Sequence, residues 1–502
     1  MANVMSLANG LAVMAMAVCP MALAQAPAST VGQPPSGISL LRALTLSLQK
    51  NPDIQISETR IAISQGALQA AGGTFDPLLN ASTTVAETTD KVRTTSSSIG
   101  VSQQLRSGIV LGSNLTARSE NTFASATPGS EATLGVSIGF PILRGRGEEF
   151  AAAAENAAKL SLIKSEYDMR HAASVAIYST AVAYWNLRAA EEILDAQRES
   201  EARAQRLVGD IQRLINAGER PAADINLINA NLTGKRTARL AAEQSLINAR
   251  LALGEKIGLD YVGLQEAAKA SDGFPAYDGK MALIENGPEL VKKATEKRFD
   301  LKSSQTNLDA LRIAVNAARD NLQPILGVTL GANYVGRTTG ENPLLVLSRR
   351  AGDPQLTAGL TYTWDVVNSK SKGNFLSQSA TYDQQAVAIR ALQLSIGVGV
   401  ENAVAGYNRS VQQLAESQLT VDLYTKIVEN ERTKLKIGST TLLDVVNVES
   451  QRQDALLNHI TQRAAYASAI AALRYQIGEL ISDGPATQVL SVEQLRAYAP
   501  PL

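Results

Sequence analysis

Asn51-Pro52-Asp53-Ile54 opens a helical run that closes on Phe75-Asp76-Pro77-Leu78-Leu79, and Arg298-Phe299-Asp300-Leu301 opens a second that closes on Leu322-Gln323-Pro324-Ile325-Leu326. Asp53 and Asp300 stand 247 positions apart, and so do Pro77 and Pro324. Equal spacing between two such landmarks marks a duplicated unit, which constrains the fold before any single element does.

Further matches run outward from that pair. Gly135-Val136-Ser137-Ile138-Gly139-Phe140 answers Gly359-Leu360-Thr361-Tyr362-Thr363-Trp364 at an offset of 224, and Ala181-Val182-Ala183-Tyr184-Trp185-Asn186 answers Ala403-Val404-Ala405-Gly406-Tyr407-Asn408 at 222. Gly218 and Asp224 answer Gly438 and Asp444 at 220. The offset falls between Pro77 and Gly135, so the first copy carries an insertion there, roughly Ser96 to Arg118. Its own alternation (Ile99 and Val101 against Gly100 and Ser102) and its Gly108 turn fit either an added strand pair, which is favoured, or an ordered external loop.

Each copy reads helix, polar β-hairpin, very long helix, tight turn, helix. Apolar residues recur at helical spacing in Leu160, Ile163, Tyr167, Ile177, Ala181 and Tyr184, and again in Leu456, Ile460, Ala467, Ile470 and Ile477, as packing seams. The hairpins alternate instead, with Leu134, Val136, Ile138 and Phe140 on one face. The run from Glu148 to Asn216 would extend roughly 100 Å as one helix. Runs 38–73 and 222–258 are each near half that length, so stacked end to end they match it. The expected organisation is a leader (1–24), repeat 1 (25–258, hairpin about 77–142, turn at 218), a connector (259–285), repeat 2 (286–481, hairpin about 324–366, turn at 438) and a tail (482–502). Connector and tail fit neither helix column and are expected to belt the middle.

Composition narrows the classes. Gly10 to Ala24 is nearly free of polar groups and ends in Ala22-Leu23-Ala24, the small-x-small pattern of a secretory leader, with the mature chain expected from about Gln25. Cys19 lies inside that leader after the bulky Val18, which does not suit lipoprotein cleavage, so it is expected to leave with the leader. The 47 basic residues balance the 47 acidic ones, which gives no electrostatic grip on nucleic acid. Beyond residue 25 no run is read as a membrane helix, so any bilayer crossing falls to strands. Only 4% of residues are aromatic, as suits long helices with Ala, Leu and Ile in their seams. Two hairpins supply four strands, whereas the smallest outer-membrane barrels need about eight, so transmembrane hairpins force copies to share a wall.

On these landmarks the chain resembles the TolC family of outer-membrane efflux and secretion channels. The likeness covers nearly the whole mature chain and rests on Asn51-Pro52-Asp53, Phe75-Asp76-Pro77, Ser102-Gln103-Gln104-Leu105 before Gly108, Phe140-Pro141-Ile142-Leu143-Arg144-Gly145-Arg146-Gly147, and Gly438-Ser439-Thr440-Thr441-Leu442-Leu443-Asp444-Val445-Val446. It implies a mainly α protein with membrane β-structure: a homotrimer whose long α-helical coiled-coil barrel continues a transmembrane β-barrel of twelve strands, four from each chain. It also implies an outer-membrane site in contact with lipid, a periplasmic adaptor (membrane fusion) protein, an inner-membrane RND or ABC transporter, and no cofactor or nucleic acid.

The resemblance also assigns residues. Both helix turns would lie at the periplasmic tip and dock the adaptor through Gly218, Arg220, Gly438, Ser439 and Thr440. Asp444 matches the acid that lines the constriction, and Asn447 stands where the pattern can carry a second acid one turn later. Asp224 matches an acid that holds the tip closed. Its usual basic and tyrosine partners read Thr440 and Leu435 here, which leaves Arg220 and Lys436 as substitutes. For both acids the plainer reading is support of a helix N-terminus.

Two other classes fit the residues less well. An enzyme is disfavoured because His171 and His459, the only histidines, both lie in helical seams without ligand or nucleophile neighbours, and Gly145-Arg146-Gly147 lacks phosphate-loop spacing. A structural periplasmic coiled coil or adaptor would carry one helical hairpin, not two helix–strand–helix copies.

Overall fold

The computed structural model describes residues 37–88, 92–122, 129–259, 269–276, 283–339 and 352–481. The expected leader, the tail 482–502 and residues 260–268 and 277–282 of the connector lie outside them. The described helices are α1 (Leu40–Lys50), α2 (Pro52–Gly72), α3 (Glu148–Ala151), α4 (Ala153–Asn216), α5 (Asp224–Ile257), α6 (Gly287–Lys297), α7 (Phe299–Asp320), α8 (Ser369–Lys436) and α9 (Leu442–Ile477). The strands are β1 (Leu78–Glu87), β2 (Val92–Gln104), β3 (Val110–Thr122), β4 (Gly129–Pro141), β5 (Ile325–Thr339) and β6 (Asp353–Thr363).

The long columns exist. α4 has 64 residues and α8 has 68, about 96 and 102 Å at 1.5 Å per residue. The run from Glu148 is interrupted at Ala152, whose φ of −101° and ψ of 15° separate α3 from α4. α8 holds an 18-residue window of mean hydropathy 1.2, of which only 22% is buried within the chain. This differs from the reading that nothing past residue 25 could suit a membrane helix. Leu394 and Val398, 73% and 62% exposed, belong to this apolar face.

The half-length runs are built from jointed helices. Pro52 lacks an amide hydrogen and ends α1; the Asn51 side chain accepts from the Asp53 amide at 2.8 Å and so restarts the chain as α2. Asn51 Nδ2 and the Ser47 hydroxyl both donate to the Lys256 carbonyl at 3.0 Å, fixing this joint on the end of α5. There Gly258 takes φ +75°, and its amide and that of Leu259 close a Schellman turn. A Cβ at Gly258 would stand 2.2 Å from the Lys50 carbonyl oxygen. The second copy repeats the device: Gly478 (φ +78°) ends α9 against Arg298, whose guanidinium donates to Gln476 at 2.7 Å. Stacking of half-length helices beside a full-length one follows from these two junctions.

Packing falls into two cores, the first drawing Phe299, Ile460 and Ala467 of the second copy onto residues of the first. One core gathers Tyr184, Trp185, Leu187, Leu40 and Leu253, and the other gathers Tyr407, Tyr466, Leu473 and Ile477. Described parts of the connector cross at the matched segments 181–186 and 403–408. The Tyr184 hydroxyl donates to the Ile38 carbonyl and accepts from the Asp272 amide, and Phe274 lies against Trp185. Asn408 exchanges two hydrogen bonds of 3.0 Å with the Ile284 backbone.

All six strands form one antiparallel sheet in sequence order, with β4 and β5 joining the two repeats. This corrects the count of four strands per chain. The insertion in the first copy folds as the added pair β2 and β3, turning at Leu105–Ile109 around Gly108 at φ +88°.

The Gly258 junction gives a direct expectation. Gly218→Ala, with the same backbone sign and open space around it, costs about 1–2 kcal/mol of strain. Gly258→Ala adds a backbone clash and costs at least ~3 kcal/mol, seen as a much larger drop in the unfolding midpoint of the detergent-solubilised protein.

Candidate functional site: the helical tip

The two helix-to-helix turns lie at the ends of α4 and α8 far from the sheet, and both are Schellman turns. Gly218 (φ +79°) is followed by Glu219, whose amide donates to Leu214 at 2.9 Å; Gly438 (φ +77°) is followed by Ser439, whose amide donates to Lys434 at 3.0 Å. Glycine is required at each because the turn enters the left-handed region. Between the turns, Ile211, Ile228 and Leu442 form a small buried cluster flanked by Leu435, Ile225 and Leu214. Leu435 is therefore an apolar packing residue, and the tip is joined by burial where a tyrosine could have supplied a polar link.

Asp444 sits in the first turn of α9. Its Oδ2 accepts from Thr441 Oγ1 at 2.6 Å, from the Thr441 amide at 3.1 Å and from Thr440 Oγ1 at 3.2 Å, while the Asp444 amide donates back to Thr441 Oγ1 at 3.2 Å. This is a capping box. The Thr441 hydroxyl, its amide and the Thr440 hydroxyl hold the carboxyl below the usual carboxylate range, so it stays charged. Capping and exposure coexist: Asp444 and Asn447, three residues on, both face solvent. Asp224 opens α5, and its nearest cation is Arg220 at 3.8 Å within the same turn. Lys436 is exposed at the end of α8.

Two groups near the tip escape a sequence reading. Glu431, with Lys434 at 2.6 Å and a hydrogen bond to Thr440, is also held ionised, and the Asp444 charge opposes that shift. Arg432 pairs with Glu449 across the hairpin, tying α8 to α9. Each lies several residues from its turn, so no short motif contains it; only the antiparallel register of the hairpin brings the partners together.

Neither histidine approaches the tip. His171 is partly buried among Asp168, Arg298, Asp300 and Tyr475, and burial pushes its pKa down. His459 Nδ1 lies 2.9 Å from Ser417 Oγ, and burial lowers it too. Among the described residues no His, Cys, Asp and Glu group could hold a metal ion. Gly145-Arg146-Gly147 forms the turn from β4 into α3, with the Gly145 amide donating to Asp320 at 2.7 Å.

A duplicated set of long helical hairpins, capped at one end by glycine turns and at the other by an antiparallel sheet with exposed apolar residues, defines a channel subunit of the outer membrane. Residues 290–479 match the family profile described as "Outer membrane efflux protein". The outer membrane protein TolC of Vibrio cholerae serotype O1 is 24% identical over 308 residues, 61% of this chain and 68% of the relative. In fold, the chain is similar to the Campylobacter jejuni CmeC outer membrane channel, with a TM-score of 0.68, 16% identity and 90% of each chain covered. It is also similar to the outer membrane protein VceC of Vibrio cholerae, with a TM-score of 0.66, 15% identity and coverage of 88% of this chain and 96% of that one. Residues 290–479 thus carry an outer membrane efflux protein domain, and the chain as a whole has the fold of TolC-like channels. It is an outer-membrane channel with a periplasmic helical extension, and the efflux channel family implies trimerisation and assembly with adaptor and inner-membrane transporter proteins.

The tip cluster can be challenged directly. Leu442→Ala removes a buried anchor shared by both hairpins and costs about 2–5 kcal/mol, whereas Thr441→Ala loses the cap for about 1 kcal/mol. Limited proteolysis should cut Leu442→Ala first at the two glycine turns and leave the sheet intact.

Proposed function

We propose that three copies arrange their α8–α9 turns around the periplasmic end of a common passage, with Asp444 of each chain forming an anionic constriction. The observation that carries this reading is the pairing of properties at Asp444: fixed by a capping box at a defined height, yet exposed and ionised. Three carboxylates at one level attract cations and repel anions. Asn447 one turn along adds polarity without charge, so a single acidic ring is expected. Asp224, paired locally with Arg220, braces the α4–α5 turn beside it.

Adaptor docking is assigned to the exposed tips, through Gly218, Arg220, Gly438, Ser439 and Thr440. Cargo would be delivered by an RND or ABC transporter of the inner membrane, making the chain the exit duct of a tripartite efflux pump or a type I secretion system. Opening then requires the α4–α5 and α8–α9 hairpins to move apart at the Ile211, Ile228 and Leu442 cluster. No bond chemistry is needed in this subunit. The amphipathic sheet disfavours a purely structural coiled coil or an adaptor, since neither would place Leu134, Val136, Leu330 and Leu360 exposed on strands.

Asp444→Asn keeps the capping geometry but removes the charge. In planar bilayers under a salt gradient, the cation-to-anion permeability ratio should fall by about twofold or more. An unchanged ratio rejects the ring.

A further inference from the structure

We infer that the membrane wall of this channel contains six strands from each of three chains, eighteen in all, so that its outer lumen is wider than a twelve-stranded wall allows. The inference rests on the channel reading and adds to it the role of β2 and β3.

Four observations place β2 and β3 in the wall. First, the pairing is continuous: β1 pairs with β2 over its whole length and β3 with β4, so β1 and β4 are separated by the added pair. An external hairpin would leave β1 against β4. Second, β2 and β3 have 13 residues each, whereas about 9–11 tilted residues cross the hydrocarbon. Third, they share the faces of their neighbours. One row of register partners reads Ala81, Ile99, Leu115, Leu134 and Tyr334; the next row on the opposite face reads Ser82, Ser98, Thr116, Thr133 and Val335. Ile99 and Val101 are as exposed as Leu134 and Val136, all between 42% and 55%. A lipid-facing row and a mainly polar lumen row therefore run through β2 and β3 without a break.

The fourth observation concerns the turn between them. The Leu105–Ile109 turn sits at the helix end of the sheet: the Ser107 carbonyl accepts from the Gly147 amide at 3.1 Å, and Arg106 pairs with Glu155 near the start of α4 at 2.7 Å. The hairpin thus starts on the far side, returns at the periplasmic side and goes back, as a wall strand pair must. Its close fit needs glycine, since a Cβ at Gly108 would stand 2.4 Å from the Gly145 carbonyl oxygen.

The two outer edges then define the partner. β1 and β6 are exposed along their full lengths, and a meander with an even number of strands presents them antiparallel to one another, so β6 of one copy suits β1 of the next. At about 40° of tilt and ~4.8 Å between strands, eighteen strands close at a radius of roughly 18 Å, against roughly 12 Å for twelve. The outer barrel then admits bulkier cargo than the tip, and size selection falls to the periplasmic constriction.

Spin labels on single cysteines, in a Cys19→Ser background, test this in proteoliposomes by comparing lipid-soluble oxygen with a water-soluble nickel chelate. Ile99→Cys and Leu115→Cys should favour oxygen by about threefold or more over Ser98→Cys and Thr116→Cys, in phase with Leu134→Cys against Thr133→Cys on β4. Should β4 alternate while all four β2 and β3 sites meet the nickel chelate equally, the hairpin lies outside the wall and the inference falls, although the channel stands. Loss of alternation on β4 as well would overturn both. If the labelled variants do not assemble, cryo-electron microscopy of the unmodified protein decides: eighteen strands in the wall support the inference and twelve refute it.

Discussion

An open sheet edge cannot exist in hydrocarbon, and this chain has two. Among the described residues β1 and β6 are the two edges of the sheet, ten and eleven residues long, and no described strand pairs with their outward amides and carbonyls. Roughly half of each strand's backbone groups point outward, and each unsatisfied group in lipid costs several kcal/mol. The sum is tens of kcal/mol, beyond the ~5–15 kcal/mol by which folded domains are stable. A single copy in the membrane is therefore excluded by its own backbone, and the helices beneath must be arranged to let three sheets meet. The apolar outer face of α8, mostly unburied within one chain, is where neighbouring columns can meet in the same assembly.

The helical part answers a different demand, that of holding a passage open over a great length with few aromatic residues. Full-length helices provide the span, and half-length helices stacked beside them complete it. The stacking depends on two small junctions in which a left-handed glycine, Gly258 or Gly478, lets one helix end against the joint of another. Tyr184 and Asn408, within the matched segments 181–186 and 403–408 of the two copies, anchor the described parts of the connector across the middle. The same repeat that builds the columns thus also fixes their waist.

Much of this could be read from the residues, and the limits were physical. The duplication showed because Asp53 and Asp300, Pro77 and Pro324, and the turn glycines Gly218 and Gly438, whose left-handed backbone disfavours any other residue, recur in the same order in both copies. The added strand pair showed in the alternation of Ile99 and Val101 with Gly100 and Ser102, but its place in one six-stranded sheet did not, because Thr94-Thr95-Ser96-Ser97-Ser98 in β2 reads as polar until the register puts Ile99 and Val101 level with Leu115 and Ser113. Membrane strands show only their outward half as apolar, a weak signal for any one segment. At the tip, Asp444 was visible as an acid after a glycine turn, and the structure shows the capping role and the exposed position in one side chain. Glu431 and the Arg432–Glu449 pair were not visible, since their partners meet only through the hairpin register. The break at Ala152 likewise has no sequence mark, because Ala151 to Ala154 are all good helix formers.

Native mass spectrometry of the protein extracted from outer membranes in mild detergent addresses the sharing of one wall most directly. The account predicts a single species with the mass of three chains that survives until the sheet is unfolded by heat. A stable, folded species with the mass of one chain would contradict it.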